Sequence, residues 1–302
     1  MSTVIDPFAV WLGRPGHLVA LPDPSPDVEV IRSREVAIHV GVAGGRSVDV
    51  TGSGLRTFKY SYSRLTSCEA EVIDAFAGGD HGPGPYALID PVYANRLTAN
   101  QASGGTVCGD TSGFAVEEYG AIEVDTRCSF TGPSSILWAF NPASLRVLAL
   151  PSRWPSLPDG TRAFPVLPGV PVHLGAWVRP DTATWCGWVP RFYDVSGQLV
   201  SAATPDPEAV GGETWRHVTA HVTPPSGAAW VAPRLAATTV APRVCDPARI
   251  SVDSLEMTYG TALAERARTG TGVPQVEFTA WSQTIPHLGH VDAQLELTEV
   301  CQ

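Results

Sequence analysis

Basic side chains are scarce in this 302-residue sequence. Lysine and arginine together number 20 against 30 aspartates and glutamates, which gives a formal net charge of −10, and Lys59 is the only lysine. A chain of this acidity repels phosphate backbones, and it contains no basic run that would offset the repulsion. The composition therefore disfavours nucleic-acid binding.

Long apolar runs are also missing. No stretch approaches the roughly 18 apolar residues that a membrane-spanning helix needs, so we expect no membrane span. Residues 1–11 contain Asp6 and lack the basic and apolar regions of a signal peptide. These absences predict a chain that is made and folded in a cytoplasm.

The 6 cysteines form no C-x-x-C pair, which disfavours a zinc ribbon or a thioredoxin-like site. They are either buried free thiols or partners that pair in an oxidising exterior. Cys108 with Cys128 is the first candidate for such a pair, although sequence alone does not fix the connectivity.

The motifs of common catalytic sites are absent as well. The sequence has no G-x-S-x-G turn, no H-E-x-x-H pair and no P-loop. Acids such as Glu117 and Asp125 are expected in any β protein of this acidity, whereas a glycosidase needs two carboxylates set across a cleft. We therefore predict no enzymatic activity and keep a glycan hydrolase or esterase as a third hypothesis.

Glycine and proline, by contrast, are abundant. With 29 glycines and 27 prolines, 44% hydrophobic and 17% charged residues, the sequence is typical of a packed globular chain of short strands and turns. It predicts an all-β fold with one helix, which begins at a Thr66–Glu69 capping box and ends at Gly78-Gly79.

Two styles of sequence alternate along the chain. Short strands surround the helix, whereas residues 97–259 form longer, tryptophan-rich strands, and residues 272–300 return to short strands. The run around Leu295 and Leu297 needs a partner, because about 40 residues cannot bury a core alone. We predict a small discontinuous β-sandwich of residues 1–96 and 261–302, closed by this last strand, with an inserted β-sandwich jelly roll of residues 97–260.

The outer segments contain a series of short motifs. They are Arg46–Val50, residues 58–62, Gly78-Gly79, residues 82–91, residues 95–101 and residues 295–300. In this order they resemble the minor tail proteins, or distal-tail-like proteins, of long-tailed phages that infect actinobacteria. The resemblance implies a virion protein at the tail tip that forms a ring of identical copies on the tail tube and contacts neighbouring tail-tube and tail-tip proteins.

The inserted part contains a second series of motifs. They are residues 110–114, 169–179, 191–197, 215–219 and 251–256. This series is similar to the galactose-binding-like jelly rolls that include many carbohydrate-binding modules. The resemblance implies a projecting domain that is able to meet host cell-surface glycans, including cell-wall carbohydrate.

Two main hypotheses result from these resemblances. The favoured one is a structural protein of the phage tail tip or baseplate that displays a jelly roll for host attachment. The alternative is a free carbohydrate-binding or adhesin module without a ring-forming role.

Tryptophans in or beside loops are the candidate glycan contacts. Sugar rings stack on aromatic faces while polar groups bind their hydroxyls. Trp154, Trp185 and Trp188 lie in or beside Pro- and Gly-containing loops and are the predicted contacts. The alternative is that they cover a loop or contact an adjacent subunit.

A structural calcium ion is implied by the second resemblance, because galactose-binding-like jelly rolls often hold Ca²⁺ with oxygen ligands from their first and last strands. Asp110 and Asp253 lie near those positions and are the candidate ligands, although the favoured interpretation is that both are ordinary surface acids. His217 and His221 have the spacing of a helical metal site, but we expect them in a strand on the face opposite Val218, without a metal.

Overall fold

The chain folds almost entirely into β-strands, which confirms the predicted fold class. The computed structural model describes residues 6, 8–25, 28–32, 36–40, 45–50, 54–117, 120–141, 145–203, 207–239, 247–287 and 289–300. Two helices, α1 (Ser67–Gly78) and α2 (Ala99–Ala102), occur in these residues. None of the described helices is long and apolar enough to cross a membrane.

The strands are numbered in chain order. They are β1 (Trp11–Arg14), β2 (His17–Ala20), β3 (Glu29–Arg32), β4 (Val36–Val40), β5 (Arg46–Val50), β6 (Arg56–Leu65), β7 (Tyr86–Ile89), β8 (Ala115–Glu117), β9 (Gly120–Asp125), β10 (Ser135–Phe140), β11 (Arg146–Ala149), β12 (Phe164–Pro165), β13 (Val172–Pro180), β14 (Thr184–Trp188), β15 (Arg191–Tyr193), β16 (Leu199–Ala202), β17 (Glu208–Val210), β18 (Arg216–Val222), β19 (Trp230–Ala232), β20 (Arg234–Thr239), β21 (Ala248–Tyr259), β22 (Gln275–His287) and β23 (His290–Glu299).

The chain divides into two compact units. The outer unit comprises Ala9–Arg14, Leu18–Ile89 and Pro274–Gln302, and the jelly-roll unit consists chiefly of Asp90–Val273. The outer unit is therefore built from both ends of the sequence.

The outer unit contains a seven-stranded sheet in the order β2-β1-β7-β22-β23-β6-β3. Its C-terminal strand β23 pairs antiparallel with β6, with Leu295 opposite Tyr60 and Leu297 opposite Phe58. Both leucines are buried. The expected pairing of the last strand with the first segment is thus present, and β4 and β5 form a separate hairpin.

Helix α1 begins and ends where the sequence predicts. The Thr66 hydroxyl accepts a hydrogen bond from the Glu69 backbone N–H, the Glu69 carboxylate accepts one from the Thr66 N–H, and Gly79 closes the helix at φ 84°. Ile73 and Phe76 are buried. The sequence did not predict the one-turn helix α2, because no apolar stripe follows its Thr98–Gln101 capping box.

The jelly-roll unit contains two five-stranded antiparallel sheets. Sheet I has the order β18-β13-β21-β10-β9, and sheet II has the order β17-β14-β20-β11-β8. Successive strands pass repeatedly from one sheet to the other, as in a jelly roll. The alternate residues of each strand that face the opposite sheet form a core that includes Trp138, Leu174, Leu235 and Met257. A smaller sheet, β12-β19-β15-β16, continues the unit.

The described cysteines are free thiols. Cys108 and Cys128 are both unpaired, so the first candidate for a disulfide is wrong, and Cys186 is buried. Burial raises the pKa of the Cys186 thiol to about 12, so it behaves as a small apolar side chain. Cys245 and Cys301 lie outside the described residues.

We expect Leu297→Ala to destabilise the protein by about 2–5 kcal/mol, because it leaves a cavity beside Phe58 in the sheet that joins the two chain ends. Gln294→Ala changes an exposed residue of the same strand and should change stability by less than about 0.5 kcal/mol. Urea unfolding of both variants checks this. Equal stabilities would contradict the role assigned to β23.

Candidate functional site

Two of the three predicted tryptophans belong to the core. Trp154 is 4% exposed and Trp188 is 3% exposed. The Trp154 Nε1–H donates to the Val273 carbonyl at 3.1 Å, and the Trp188 Nε1–H donates to the Val218 carbonyl at 3.0 Å. Their ring faces are covered and their only donors are used, so the prediction that they contact glycan is wrong for this conformation.

Trp185 has the opposite environment. It lies on β14, where Cys186 and Trp188 face the core, and the alternation of a strand turns Trp185 to the outer surface of sheet II. Its side chain is 39% exposed. Of the three predicted contacts, Trp185 alone has an indole that a ligand is able to reach.

Small residues surround Trp185 on this surface. Its register neighbours are Thr238 on β20 and Ala209 on β17. Two residues further along β14, Gly187 lies opposite Ala236. These register neighbours are small, so no long side chain rises from their positions beside the exposed indole.

An ion pair lies on the same surface, between β20, which is adjacent to β14, and β8, which is three strands from β14. Arg234 of β20 pairs with Glu117 of β8 across β11. The Arg234 side chain is buried and the Glu117 carboxylate is well exposed, and burial lowers the pKa of the Arg234 guanidinium. Arg234 is four residues along β20 from Thr238, the register neighbour of Trp185, and Glu117 is three strands from β14. Both separations exceed about 10 Å, so the indole and the ion pair are within reach of an oligosaccharide but not of one sugar ring.

We name this surface the Trp185 face. It consists of Trp185, Gly187, Thr238, Ala236, Ala209, Val147, Arg234 and Glu117. The sequence analysis treated Glu117 as an ordinary acid and did not single out Arg234. The feature of the sequence that could have indicated this surface is the run of small residues 236–239.

Asp253 is a buried carboxylate with its own backbone partners. Its Oδ2 accepts hydrogen bonds from the N–H groups of Phe130 at 2.8 Å and Thr131 at 2.7 Å, and its Oδ1 accepts one from Ser254 at 2.6 Å. A β-bulge at Ser254, whose φ is 49°, sets this geometry. Asp253 therefore orients the loop that carries Phe130.

The residues at the predicted calcium site do not fit the ion. Calcium needs oxygen lone pairs, whereas N–H donors surround the Asp253 carboxylate. The Asp110 Oδ1 accepts from the Ser112 N–H at 2.8 Å and the Asn100 amide at 3.1 Å, and these partners lower the pKa of Asp110. Within the described ranges, no group of three or more His, Cys, Asp or Glu is arranged to hold a metal.

The histidines of β18 lie on the outer face of sheet I, opposite the apolar face that contains Val218, as predicted. His217 stacks on Trp177 with ring centroids 5.1 Å apart, and Trp177 also stacks on Phe130 at 3.8 Å. His221 stacks on His173 at 4.4 Å. The two histidines of β18 thus have different cross-strand partners and do not converge on one site.

Comparison with known proteins gives no family. No family model and no curated protein matches the chain. Among solved structures, the xylan-binding domain CBM22-1 of Paenibacillus barcinonensis Xyn10C is 14% identical, with 51% of this chain and 90% of that chain covered and a TM-score of 0.38. The C-terminal family 22 carbohydrate-binding module of Clostridium thermocellum Xyn10B is 17% identical, with 53% of this chain and 93% of that chain covered and a TM-score of 0.40.

A phage protein also occurs among these structures. The enzymatically active domain of tailspike protein 4 of bacteriophage CBA120 is 15% identical, with 55% of this chain and 22% of that chain covered and a TM-score of 0.39. Similarities this low support no conclusion about ligand or activity. The jelly roll described above is established by its own strand pairing.

Asp253 generates a pH prediction. Burial raises the pKa of Asp253, and its backbone hydrogen bonds oppose this shift only partly. The folded protein therefore holds this proton to higher pH than the unfolded chain, and stability falls as pH rises above the ordinary value of about 3.8. Asp253→Asn removes this titrating group. The free energy of unfolding of the wild type, minus that of the variant, should therefore decrease between about pH 4 and pH 7. Urea titrations at both pH values measure it; an increase would contradict the assignment.

Proposed function

We propose that the jelly-roll unit binds carbohydrate at the Trp185 face. The observation that carries the proposal is the exposed indole of Trp185, whose register neighbours Ala209 and Thr238 are small. An aromatic face stacks on the C–H-rich face of a sugar, and the small neighbours leave the ring accessible. Two of the solved structures above are named as carbohydrate-binding domains, but the similarity to them is too low to support the proposal.

The ion pair gives the proposed site its polar part. The Glu117 carboxylate accepts hydrogen bonds from sugar hydroxyls, and the Arg234 guanidinium holds that carboxylate in place. A bound sugar is expected to be neutral, because the chain carries a net charge of −10 and an acidic sugar would be repelled by Glu117. The proposed function is binding and not catalysis.

We propose further that the whole chain is a structural protein of a phage tail tip, located in the virion, with the outer unit assembling into a ring on the tail tube. The motifs that resemble distal-tail-like proteins support this role. The sheet made from both chain ends supports it too, because it makes the jelly roll an insertion within the outer unit. The sheet ends at β2 and β3, whose edges are suited to contacts between copies.

Binding of a cell-wall glycan should depend on Trp185. With the best ligand from an array of neutral cell-wall oligosaccharides, we expect Trp185→Ala to weaken binding at least about tenfold, which corresponds to about 1.4 kcal/mol. Trp185→Phe keeps a ring and should lose less. Isothermal titration calorimetry measures both.

Glu117→Gln is the matched test of the polar part of the site and should weaken the same complex by a smaller factor. Val200→Ala, an exposed apolar residue of β16, is the control and should leave affinity unchanged. Absence of any array signal, or an unchanged affinity for Trp185→Ala, would sink the carbohydrate proposal.

The tail-tip role predicts self-association and presence in the particle. Light scattering of the purified chain should give a closed oligomer, and antibody labelling in electron micrographs should mark the tail tip of the native phage. A monomer at all concentrations, together with absence from the particle, would leave only the free carbohydrate-binding module.

A further inference from the structure

A groove of about 410 Å³ lies along the free edge of sheet I, on the jelly-roll unit and apart from the Trp185 face. Its lining includes consecutive residues of the edge strand β18, from Thr219 to Val222. His173 and Leu263 line it on one side of that strand, and Trp188 and Glu208 line it on the other.

The backbone of β18 points polar groups into this groove. The Gly260 N–H donates to the Pro171 carbonyl on the β21 side of β13, and the Glu213 N–H donates to the Pro180 carbonyl on the β18 side. The even-numbered residues of β13 therefore face β18, and their register partners Ala220 and Val222 face β13. Neighbouring residues of an antiparallel strand point opposite ways, so the N–H and C=O of Thr219 and His221 face the free edge. Among the described residues no hydrogen bond reaches these groups.

This edge lacks the features that usually block strand pairing. Native edge strands are protected by charged residues, prolines or bulges, and the other edge of sheet I, β9, carries Glu123 and Asp125. The groove segment of β18 has none of these. The backbone groups of Thr219 and His221 are therefore open to an added strand.

We propose that this groove binds an extended peptide segment as an added strand of sheet I, with a basic side chain of the peptide directed at Glu208. An added strand places alternate side chains on the two faces of a sheet, and the groove has a wall on each face. Trp188 is buried and presents no open ring to a sugar.

The charge of the groove selects the kind of peptide. Among the described residues that line the groove, Glu208 is the only acid and there is no lysine or arginine. Burial lowers the pKa of His173, and the neighbouring His221 lowers it further, so His173 is neutral at pH 7. A peptide with arginine or lysine at the position facing Glu208 complements this surface.

The test uses the full chain labelled with ¹⁵N and an octapeptide that alternates valine with threonine or arginine. We expect its addition to shift the amide signals of Thr219 and His221. A matched peptide, N-methylated at the amides that face β18, should bind at least about tenfold more weakly, because one hydrogen bond contributes about fivefold. N-methylation of the intervening amides should leave binding intact.

The charge contribution is tested with protein and peptide variants. Glu208→Gln should weaken binding of the arginine peptide by about threefold, as expected for a partly exposed ion pair, and Glu123→Gln on the opposite edge should have no effect. A peptide with glutamate in place of arginine should bind the wild type more weakly. Thr219 and His221 signals unchanged at about 1 mM peptide, or equal binding of both N-methylated peptides, would overturn the proposal.

Discussion

The register between β14 and β20 is the constraint on which both surfaces of the jelly-roll unit depend. It places Trp188 opposite Leu235 in the core and Trp185 opposite Thr238 outside. A shift by one residue would reverse every side chain of β14, because the strand period is two. The hydrogen bond from the Trp188 indole to the Val218 carbonyl links sheet II to sheet I and holds the strand in this register.

The same tryptophan thus serves two surfaces. By entering the core, Trp188 leaves Trp185 on the outer face, where its register neighbours are Ala209 and Thr238. The Trp188 side chain also lines the groove beside β18. Trp188 therefore sets the exposure of Trp185 and forms one wall of the proposed peptide groove.

Local signals in the sequence predicted local structure well. The capping box at Thr66 and the glycines at 78 and 79 placed α1, because helix ends are decided by neighbouring groups. The strand around Leu295 was assigned to the outer segments from its need for a buried partner, and it pairs there with β6. An apolar strand in a segment too short to bury it predicts a partner elsewhere in the chain.

The candidate site was predicted only in part, because loop direction and strand register are not local properties. Trp154 follows a loop that turns inward, and its indole reaches Val273, more than a hundred residues away in sequence. Asp253 has the position expected of a calcium ligand, but the bulge at Ser254 supplies it with backbone donors instead. Arg234 and Glu117 meet only after β8, β11 and β20 have aligned.

Indole N–H signals of the ¹⁵N-labelled protein test the central claim most directly. During titration with a bound oligosaccharide, the account predicts that the Trp185 signal shifts while the Trp188 signal stays in place, hydrogen-bonded and slow to exchange. A shift of Trp188 with Trp185 unchanged would contradict the register from which the Trp185 face was derived.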